Sequence, residues 1–342
     1  MLRRRTLLIA LALLAASCNK DYPNPFGGSS QSQAPSSEAV LLFVSGSWAS
    51  DPGQPRELLA TNADGSKVER LTNCAQNATQ PCDMLLAAPS VDHTRVAVVR
   101  TTPGAQTGVA ALYFMDLARS LESQIVQRRQ VQAVDWSPDD SFLVYSAVAD
   151  NSTLEDLYYV LPDGTQDQDL MTPTGATTVG TPTVRERSPR IDPSSQTAVY
   201  EHIDEAGKGA IYLYPATPVT SGGPGTEPLP GTPYMVGSDA DPAVSPDATS
   251  VAFRRLTSTG NGGLGTWDLM TVKLDGTEPK VVATGPLFRG APDWGPNGIL
   301  FVETDATASE SRLVILQPDG TGRTVLRTEN AAFQMASPRW LR

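Results

Sequence analysis

Six short runs of β-branched and aromatic residues recur along the chain, each about the length of one strand. They occupy residues 41–44, 96–99, 142–145, 197–200, 250–253 and 299–302. No long window has apolar residues at the 3.6-residue spacing of an amphipathic helix. The pattern therefore predicts an all-β protein built from repeated units.

Turn-forming residues separate these runs, and the turns occur in the same order in each repeat. Segments rich in proline and aspartate, such as Ser137-Pro138-Asp139-Asp140, precede five of the six runs and predict a hairpin between a first and a second strand. A third strand follows, and four third strands end in an Asp-Gly turn, a strong hairpin signal: Asp64-Gly65, Asp163-Gly164, Asp275-Gly276 and Asp319-Gly320. Four strands repeating about every 50 residues are the pattern of a propeller blade.

The two ends of the chain complement each other. Equivalent positions before the second strands are assigned to Pro89, Val134, Pro189, Pro242, Pro292 and Pro338. The first unit lacks its own first strand, whereas residues 337–341 resemble a first strand with nothing after it. We therefore expect one domain at 38–342. It would be a six-bladed β-propeller of four-stranded antiparallel blades, closed by the C-terminal strand pairing with the N-terminal strands.

The repeats resemble those of TolB-type propellers, whose units run Pro-x-Trp-Ser-Pro-Asp-Gly, strand, loop, strand, Asp-Gly, strand. Residues 134–140 with Asp163-Gly164, and 292–298 with Asp319-Gly320, carry the resemblance best. The units at Ala118-Arg119 and Ala216-Thr217 lack the Asp-Gly turn, and the separate α/β domain of TolB has no counterpart. The resemblance implies binding to other envelope proteins through the open face of the ring.

The N-terminus predicts export. Three arginines at positions 3–5 precede a short apolar run and small residues before Cys18, so residues 1–17 are interpreted as a cleaved signal. The segment before Cys18 resembles a bacterial lipoprotein signal, and we expect Cys18 to be lipidated, with an ordinary secretory signal as the alternative. Residues 18–37, rich in Asn, Pro, Gly, Ser and Gln, are expected to form a flexible tether.

The net charge and the cysteine content indicate which partners and which cellular compartment suit the protein. The formal net charge of −11 argues against nucleic acid, whose phosphates need a positive surface. With Cys18 assigned to the lipid, Cys74 and Cys82 remain, and an oxidising envelope would let them form a disulfide around a small loop. We expect a membrane-anchored envelope protein on the periplasmic side or the cell surface.

No catalytic constellation is evident in the sequence. The chain has two histidines, His93 and His202, in different units, which does not suit a histidine metal cluster. A Gly-x-Ser-x-Gly elbow is absent, and the glycine-rich residues 260–265 lack a strand-turn-helix context. Asp135, Asp241 and Asp293 are expected beside the channel, in salt links or turn hydrogen bonds rather than around calcium. We expect no cofactor, no metal and no enzyme activity.

A partner-binding surface is expected on one face of the ring. The Pro-Asp and Asp-Gly turns fall on one side, the short-turn face, and the other loops fall on the opposite side, the long-loop face. Candidate contacts in or beside the between-blade loops are Arg128, Arg129, Arg185, Arg187, Arg289, Phe288, Phe333 and Tyr234. The predicted function is binding of an envelope protein or peptide. The alternative is a polysaccharide-binding or polysaccharide-lyase propeller that uses the channel mouth.

Overall fold

The structure is a computed structural model, and it describes most of the repeat region. The described residues are 40–47, 55–74, 82–101, 110–117, 121–126, 130–148, 152–170, 184–194, 197–215, 227–229, 235–236, 239–258, 265–285, 291–305 and 309–341. The expected signal, the tether and Cys18 lie outside these residues.

Six antiparallel sheets account for nearly all of the secondary structure. The strands of the first three blades are β1 (Leu41–Ser45), β2 (Glu57–Thr61), β3 (Val68–Arg70), β4 (Asp83–Pro89), β5 (Arg95–Thr101), β6 (Ala110–Asp116), β7 (Leu121–Val126), β8 (Ala133–Trp136), β9 (Leu143–Val148), β10 (Glu155–Val160) and β11 (Gln168–Asp169). The remaining strands are β12 (Arg185–Ile191), β13 (Thr197–Ile203), β14 (Lys208–Pro215), β15 (Glu227–Pro228), β16 (Met235–Val236), β17 (Asp239–Val244), β18 (Ser250–Ser258), β19 (Thr266–Lys273), β20 (Lys280–Gly285), β21 (Asp293–Gly295), β22 (Gly298–Asp305), β23 (Glu310–Leu316), β24 (Thr324–Asn330) and β25 (Ala336–Trp340).

The sheets form the six blades of a propeller, as the repeat pattern predicts. Blade 1 has the order β25-β1-β2-β3, and blades 2, 3, 5 and 6 are β4–β7, β8–β11, β17–β20 and β21–β24. Blade 4 is β12–β15, with the short strand β16 added beside β14. The second strands are apolar on both faces because each blade is packed between two others, and Leu41 through Val44 are fully buried.

The C-terminal strand closes the ring. Strand β25 pairs antiparallel with β1, with Leu41 opposite Trp340 and Leu42 opposite Arg339. The backbone N–H of Leu341 donates to the carbonyl of Val40 at 2.9 Å. Closure in this way leaves no unpaired innermost strand. The prediction that residues 337–341 supply the first strand of the first blade is confirmed.

Each Asp-Gly turn is stabilised by a hydroxyl residue that follows the glycine. The carboxylates of Asp163, Asp275 and Asp319 accept hydrogen bonds from the N–H and hydroxyl groups of the threonine two positions on. These bonds favour the ionised form and lower the pKa of each aspartate. The sequence signal is therefore Asp-Gly-Thr, or Asp-Gly-Ser at Gly65, rather than Asp-Gly alone.

The glycines of these turns also allow neighbouring blades to approach closely. Gly65 has φ +74°, and a Cβ there would lie 2.3 Å from the carbonyl oxygen of Leu326 in blade 6. Gly164 faces the Ile125 carbonyl of blade 2 in the same way, at 2.8 Å. The turn of one blade is thus seated against the outer strand of the preceding blade, which only glycine permits.

The register of blade 2 differs from the expected one. Pro89 pairs with Val96 just as Trp136 pairs with Leu143, so Pro89 occupies the tryptophan position of the repeat rather than the proline position. Ala87 takes the proline position instead. The assignment of Pro89 as the equivalent of Val134 was wrong because a proline two residues later mimics the motif.

Helical structure is almost absent. The one helical element of the described segments is a single 3₁₀ turn, Ala331–Phe333, between β24 and β25. Across those same segments, no helix has the length and apolar character required to cross a bilayer.

Substituting Gly65 by Ala tests the contact between blades. We expect Gly65→Ala to lower the free energy of unfolding by about 2–4 kcal/mol, since it combines a left-handed backbone with a clash against Leu326. Gly207→Ala is the matched control, because its φ is +76° but nothing lies within 4 Å of the added carbon. Its expected cost is only about 1 kcal/mol. Equal losses in urea unfolding would show that the turn is not seated against the neighbouring blade.

Candidate functional site

One position of each innermost strand faces the axis of the ring, and these six positions follow a pattern. In the register of the blades, from blade 1 to blade 6, they are Arg339, Ala88, Asp135, Arg190, Ala243 and Asp293. The order Arg-Ala-Asp is thus repeated twice around the ring. The alanines leave space into which two long arginine side chains can extend.

The four charged side chains meet at the axis. The Nη1 atom of Arg190 lies 3.8 Å from Oδ1 of Asp135 and 3.4 Å from Oδ1 of Asp293. The Nη1 atom of Arg339 lies 3.7 and 3.4 Å from the same two oxygens. All four residues are buried. We call this group the axial quartet.

Backbone hydrogen bonds fix the axial quartet in two equivalent halves. Asp135 accepts from the N–H of Ile191 at 3.1 Å, and Asp293 accepts from the N–H of Trp340 at 2.8 Å. Arg190 reaches across the ring to the Pro292 carbonyl, and Arg339 reaches the Val134 carbonyl, both at 3.1 Å. The two halves are therefore related by a pseudo-two-fold axis along the channel, and their side chains cross it.

A cavity of about 460 Å³ opens on the long-loop side of the axial quartet. It is lined by all six blades, and Arg190 and Arg339 form its floor. Leu85, Leu86 and Val131 make one wall apolar, whereas Ser188, Asp241 and Ser337 make the others polar. An amphipathic concave site of this size is typical of a binding pocket. We call it the axial cavity.

Four residues at the rim of the axial cavity have left-handed backbone conformations, and one of them is Gln130, with a φ of 53°. Ser188, Asp241 and Ser337 have φ values of 53°, 51° and 50°, and each precedes a proline where the innermost strand bulges. A non-glycine residue in this region costs about 1 kcal/mol. Such strain is often found beside binding sites, where a bulge redirects a side chain. Here the Ser188 hydroxyl donates to Asp241 at 2.9 Å.

A charge network lies between blades 4 and 5 beside this rim, and Glu201 is its buried member. Arg187 pairs with Glu201 at 2.7 Å, and Arg254 pairs with Asp241. Burial raises the pKa of Glu201 to about 7 against the opposing effect of Arg187, and Asp241 raises it further. The pKa of Asp241 is lowered, because Arg254 and the Ser188 hydroxyl outweigh its burial. Glu201 therefore changes its charge near neutral pH.

The predicted arginines Arg185 and Arg187 are both held in ion pairs. The Nε of Arg185 lies 3.6 Å from Glu155, which also accepts from Gln132 of the cavity wall at 2.8 Å. Phe333 lies half-buried in the turn between blades 6 and 1, whereas the two arginines belong to blade 4. Arg128, Arg129, Tyr234, Phe288 and Arg289 lie outside the described residues.

The other candidate groups lie in separate places. His93 is exposed in a blade 2 turn, and His202 in blade 4 pairs with Glu186 at 2.6 Å. Within the described part of the chain, no three His, Cys, Asp or Glu side chains are arranged to hold a metal. Cys74 and Cys82 are joined in a disulfide with their Cα atoms 4.7 Å apart.

Sequence reasoning identified half of the axial quartet. It expected Asp135 and Asp293 beside the channel in salt links, and it missed Arg190 and Arg339. Each of the four residues directly follows the proline position of its innermost strand. Aligning the six repeats at that position would therefore have identified Arg190 and Arg339 as well. Glu201 was missed because its partners Arg187, Asp241 and Arg254 come from three other strands.

Comparison with known proteins identifies the fold class. No family model and no curated protein matches the chain. TolB from Acinetobacter baumannii superposes with a TM-score of 0.66 at 18% identity, over 89% of this chain and 66% of that one. A TolB-type protein from Agrobacterium tumefaciens superposes with a TM-score of 0.57 at 13% identity, and the match covers 89% of this chain and 99% of that one. A chain of the nidogen/laminin complex superposes with a TM-score of 0.59 at 10% identity, and the match covers 89% of this chain and 98% of that one.

The chain is therefore a TolB-like six-bladed β-propeller. At these identities the likeness concerns the fold. The chain spans about two thirds of the length of the Acinetobacter baumannii protein.

Removing one arginine of the axial quartet should be strongly destabilising. We expect Arg339→Met to lower the free energy of unfolding by about 3–5 kcal/mol, since it leaves two buried aspartates with one cation fewer. Arg323→Met is the matched control, because its pair with Glu303 is on the surface and contributes at most about 1 kcal/mol. Adding Asp293→Asn to Arg339→Met should recover part of the loss. Additive losses in denaturant unfolding would contradict coupling across the axis.

Glu201 should make stability depend on pH between about 4.5 and 7. Its pKa is higher in the folded protein, so its stabilising effect is complete below about 4.5 and is lost as pH rises through 7. We expect Glu201→Gln to remove this loss, which is roughly 3 kcal/mol. Urea unfolding of both proteins at pH 5 and pH 8 measures it. If the free energies of the two proteins change in parallel between these pH values, the Glu201 carboxyl group titrates normally.

Proposed function

We propose that the protein is a non-catalytic envelope lipoprotein that binds a protein or peptide partner on its long-loop face. The observation that carries the proposal is the axial cavity, which opens on that face and has a closed, charge-neutral floor. A cavity with a floor can receive part of a partner, whereas the crossed arginines oppose passage along the axis.

The lining of the axial cavity suits part of a polypeptide. Leu85, Leu86 and Val131 can cover an apolar side chain, and Ser188, Asp241 and Ser337 can form hydrogen bonds on the opposite wall. Of the predicted arginine contacts, Arg185 keeps about half of its side chain exposed (47%) despite its ion pair. Its charge is largely compensated by Glu155, so shape and hydrogen bonding should contribute more to recognition than net positive charge.

The position where the chain enters the ring fits an anchor at Cys18. Val40 is bonded to Leu341 where other blades have a Pro-Asp turn, and therefore lies on the short-turn face. A lipidated Cys18 would be connected to that face. The axial cavity would then open away from the attachment point, towards partners in the envelope.

The polysaccharide alternative receives no support from the described histidines. His202 is engaged by Glu186 and packs on Tyr212, with ring centroids 4.3 Å apart. His93 is on another blade, in a turn of the short-turn face. Neither imidazole is among the residues that line the axial cavity.

Site-specific crosslinking tests the proposed binding face. A photoreactive residue at Gln130, which is exposed at the rim of the axial cavity, should crosslink a discrete envelope protein in living cells. The matched control is Ala63, which is exposed in a turn of the short-turn face. We expect the Ala63 position to give no such product.

Two outcomes would contradict the proposal. Equal crosslinking from both positions would show that the long-loop face is not selective, and release of oligosaccharide products by the purified protein would show catalysis. Repeating the experiment with Cys18→Ala separates anchoring from binding. That variant should leave the membrane fraction, yet the purified form should still crosslink the recovered partner.

A further inference from the structure

Three tryptophans occupy the same position in the repeat, at the short-turn ends of the innermost strands. Trp136, Trp294 and Trp340 belong to blades 3, 6 and 1, and each packs against the preceding blade. Because the three positions are equivalent, differences in what covers each indole show what that space can accommodate.

Trp136 is covered by side chains of blade 2. The guanidinium of Arg95 lies 5.0 Å from its ring centroid and 5.4 Å from that of Phe114. Asp92 is 3.9 Å from the same guanidinium. The indole N–H donates to the carbonyl of Ala88 at 2.9 Å. An arginine, an aromatic ring and a carboxylate thus fill the space beside this tryptophan.

Trp340 is covered in a different way. Its indole lies directly on Gly295, where a Cβ would be 2.3 Å from the ring. Its N–H donates to the carbonyl of Gly298 at 3.2 Å, and the residue is only 1% exposed. Both Trp136 and Trp340 therefore have a hydrogen-bond acceptor and close cover from within the chain.

Trp294 lacks the corresponding cover. By strand register, Ser250 takes the place of Arg95, and Thr271 takes the place of Phe114. The indole has no hydrogen-bond acceptor among the residues that the structure describes, although Trp294 is only 8% exposed. A groove of about 790 Å³ lies over it between blades 5 and 6 on the short-turn face.

The groove has a carboxylate at the position that Asp92 occupies near Trp136. Asp247 corresponds to Asp92, and its Oδ1 accepts from Ser245 and Thr249. No hydrogen bond or ion pair of Oδ2 is formed within the described residues, and the side chain is exposed at the groove. The counterpart oxygen of Asp92 is the one nearest Arg95.

The other charged side chains of the groove are engaged with each other. Lys273 pairs with Glu278, and Lys280 donates to the backbone carbonyl of Asp319. Three carboxylates and two ammonium groups line the groove, and the whole chain has a formal charge of −11. The electrostatic balance therefore favours a cationic ligand.

We propose that this groove binds an arginine residue in an extended segment of a basic partner protein. The guanidinium would lie between the indole of Trp294 and Oδ2 of Asp247, as Arg95 lies beside Trp136 and Asp92. A guanidinium cannot accept a hydrogen bond, so the N–H of Trp294 requires a backbone carbonyl of the same segment. The groove is on the face opposite the axial cavity, and the two sites can be tested separately.

The test follows the indole N–H resonances of the purified protein during peptide titration. The Trp294 signal is assigned with Trp294→Phe. The probe is a capped Gly-Gly-Arg-Gly-Gly peptide, and matched peptides carry lysine or citrulline instead of arginine. We expect the Trp294 signal to shift with the arginine peptide, with a dissociation constant on the order of millimolar. The lysine and citrulline peptides should bind several-fold more weakly, because they lack a charged planar group.

Variants of the groove supply the controls. Ser250→Arg combined with Thr271→Phe rebuilds the cover of Trp136 over Trp294 and should abolish the shift. Asp247→Asn should weaken binding about 2- to 5-fold. Asp64→Asn, which removes the same charge from a turn on the same face, should leave binding unchanged. The resonances of the other tryptophans report whether each variant is folded.

Three outcomes would overturn the proposal. One is a Trp294 signal that does not move with the arginine peptide. Another is an equal response to the citrulline peptide, which would remove the role of the charge. The third is a signal that shifts with protein concentration alone, which would assign the groove to a second copy of this chain.

Discussion

The pairing of the C-terminal strand with β1 is the constraint on which the rest of the structure depends. Arg339 and Trp340 of that strand contribute to three features at once: the innermost strand of blade 1, one arginine of the axial quartet and the cover over Gly295. The floor of the axial cavity exists because this strand is in place. Ring closure, burial of charge and the shape of the binding cavity are therefore one cooperative arrangement.

The ring presents two faces with different chemistry. On the long-loop face, bulged strands and strained backbone surround an amphipathic cavity, and its ion pairs leave little uncompensated charge. On the short-turn face, hydrogen bonds from neighbouring hydroxyl and amide groups lower the pKa of the turn aspartates, and these carboxylates make the surface acidic. The first face suits recognition by shape, and the second suits recognition of positive charge.

Much of the fold could be predicted from the sequence because its signals are local. Apolar runs, Pro-Asp and Asp-Gly turns and the unmatched ends of the chain suffice for six blades and for closure by residues 337–341. The register of blade 2 could not be read reliably, because Pro89 imitates a motif that begins two residues earlier. The partners of Arg190 come from other blades, and so do Asp241 and Arg254 beside Glu201. Sequence patterns within one repeat do not show which side chains of different blades meet.

The twofold repetition of Arg-Ala-Asp around the channel has a consequence for how the ring is assembled. The arginine of each three-blade half lies near the aspartate of its own half and near the aspartate of the other half, at N–O distances of 3.4 to 3.8 Å. The four axial charges are therefore neutralised jointly by the two halves. Because both halves carry the same order of axial residues, a propeller assembled from two identical three-blade halves would have the same alternating charges at its centre.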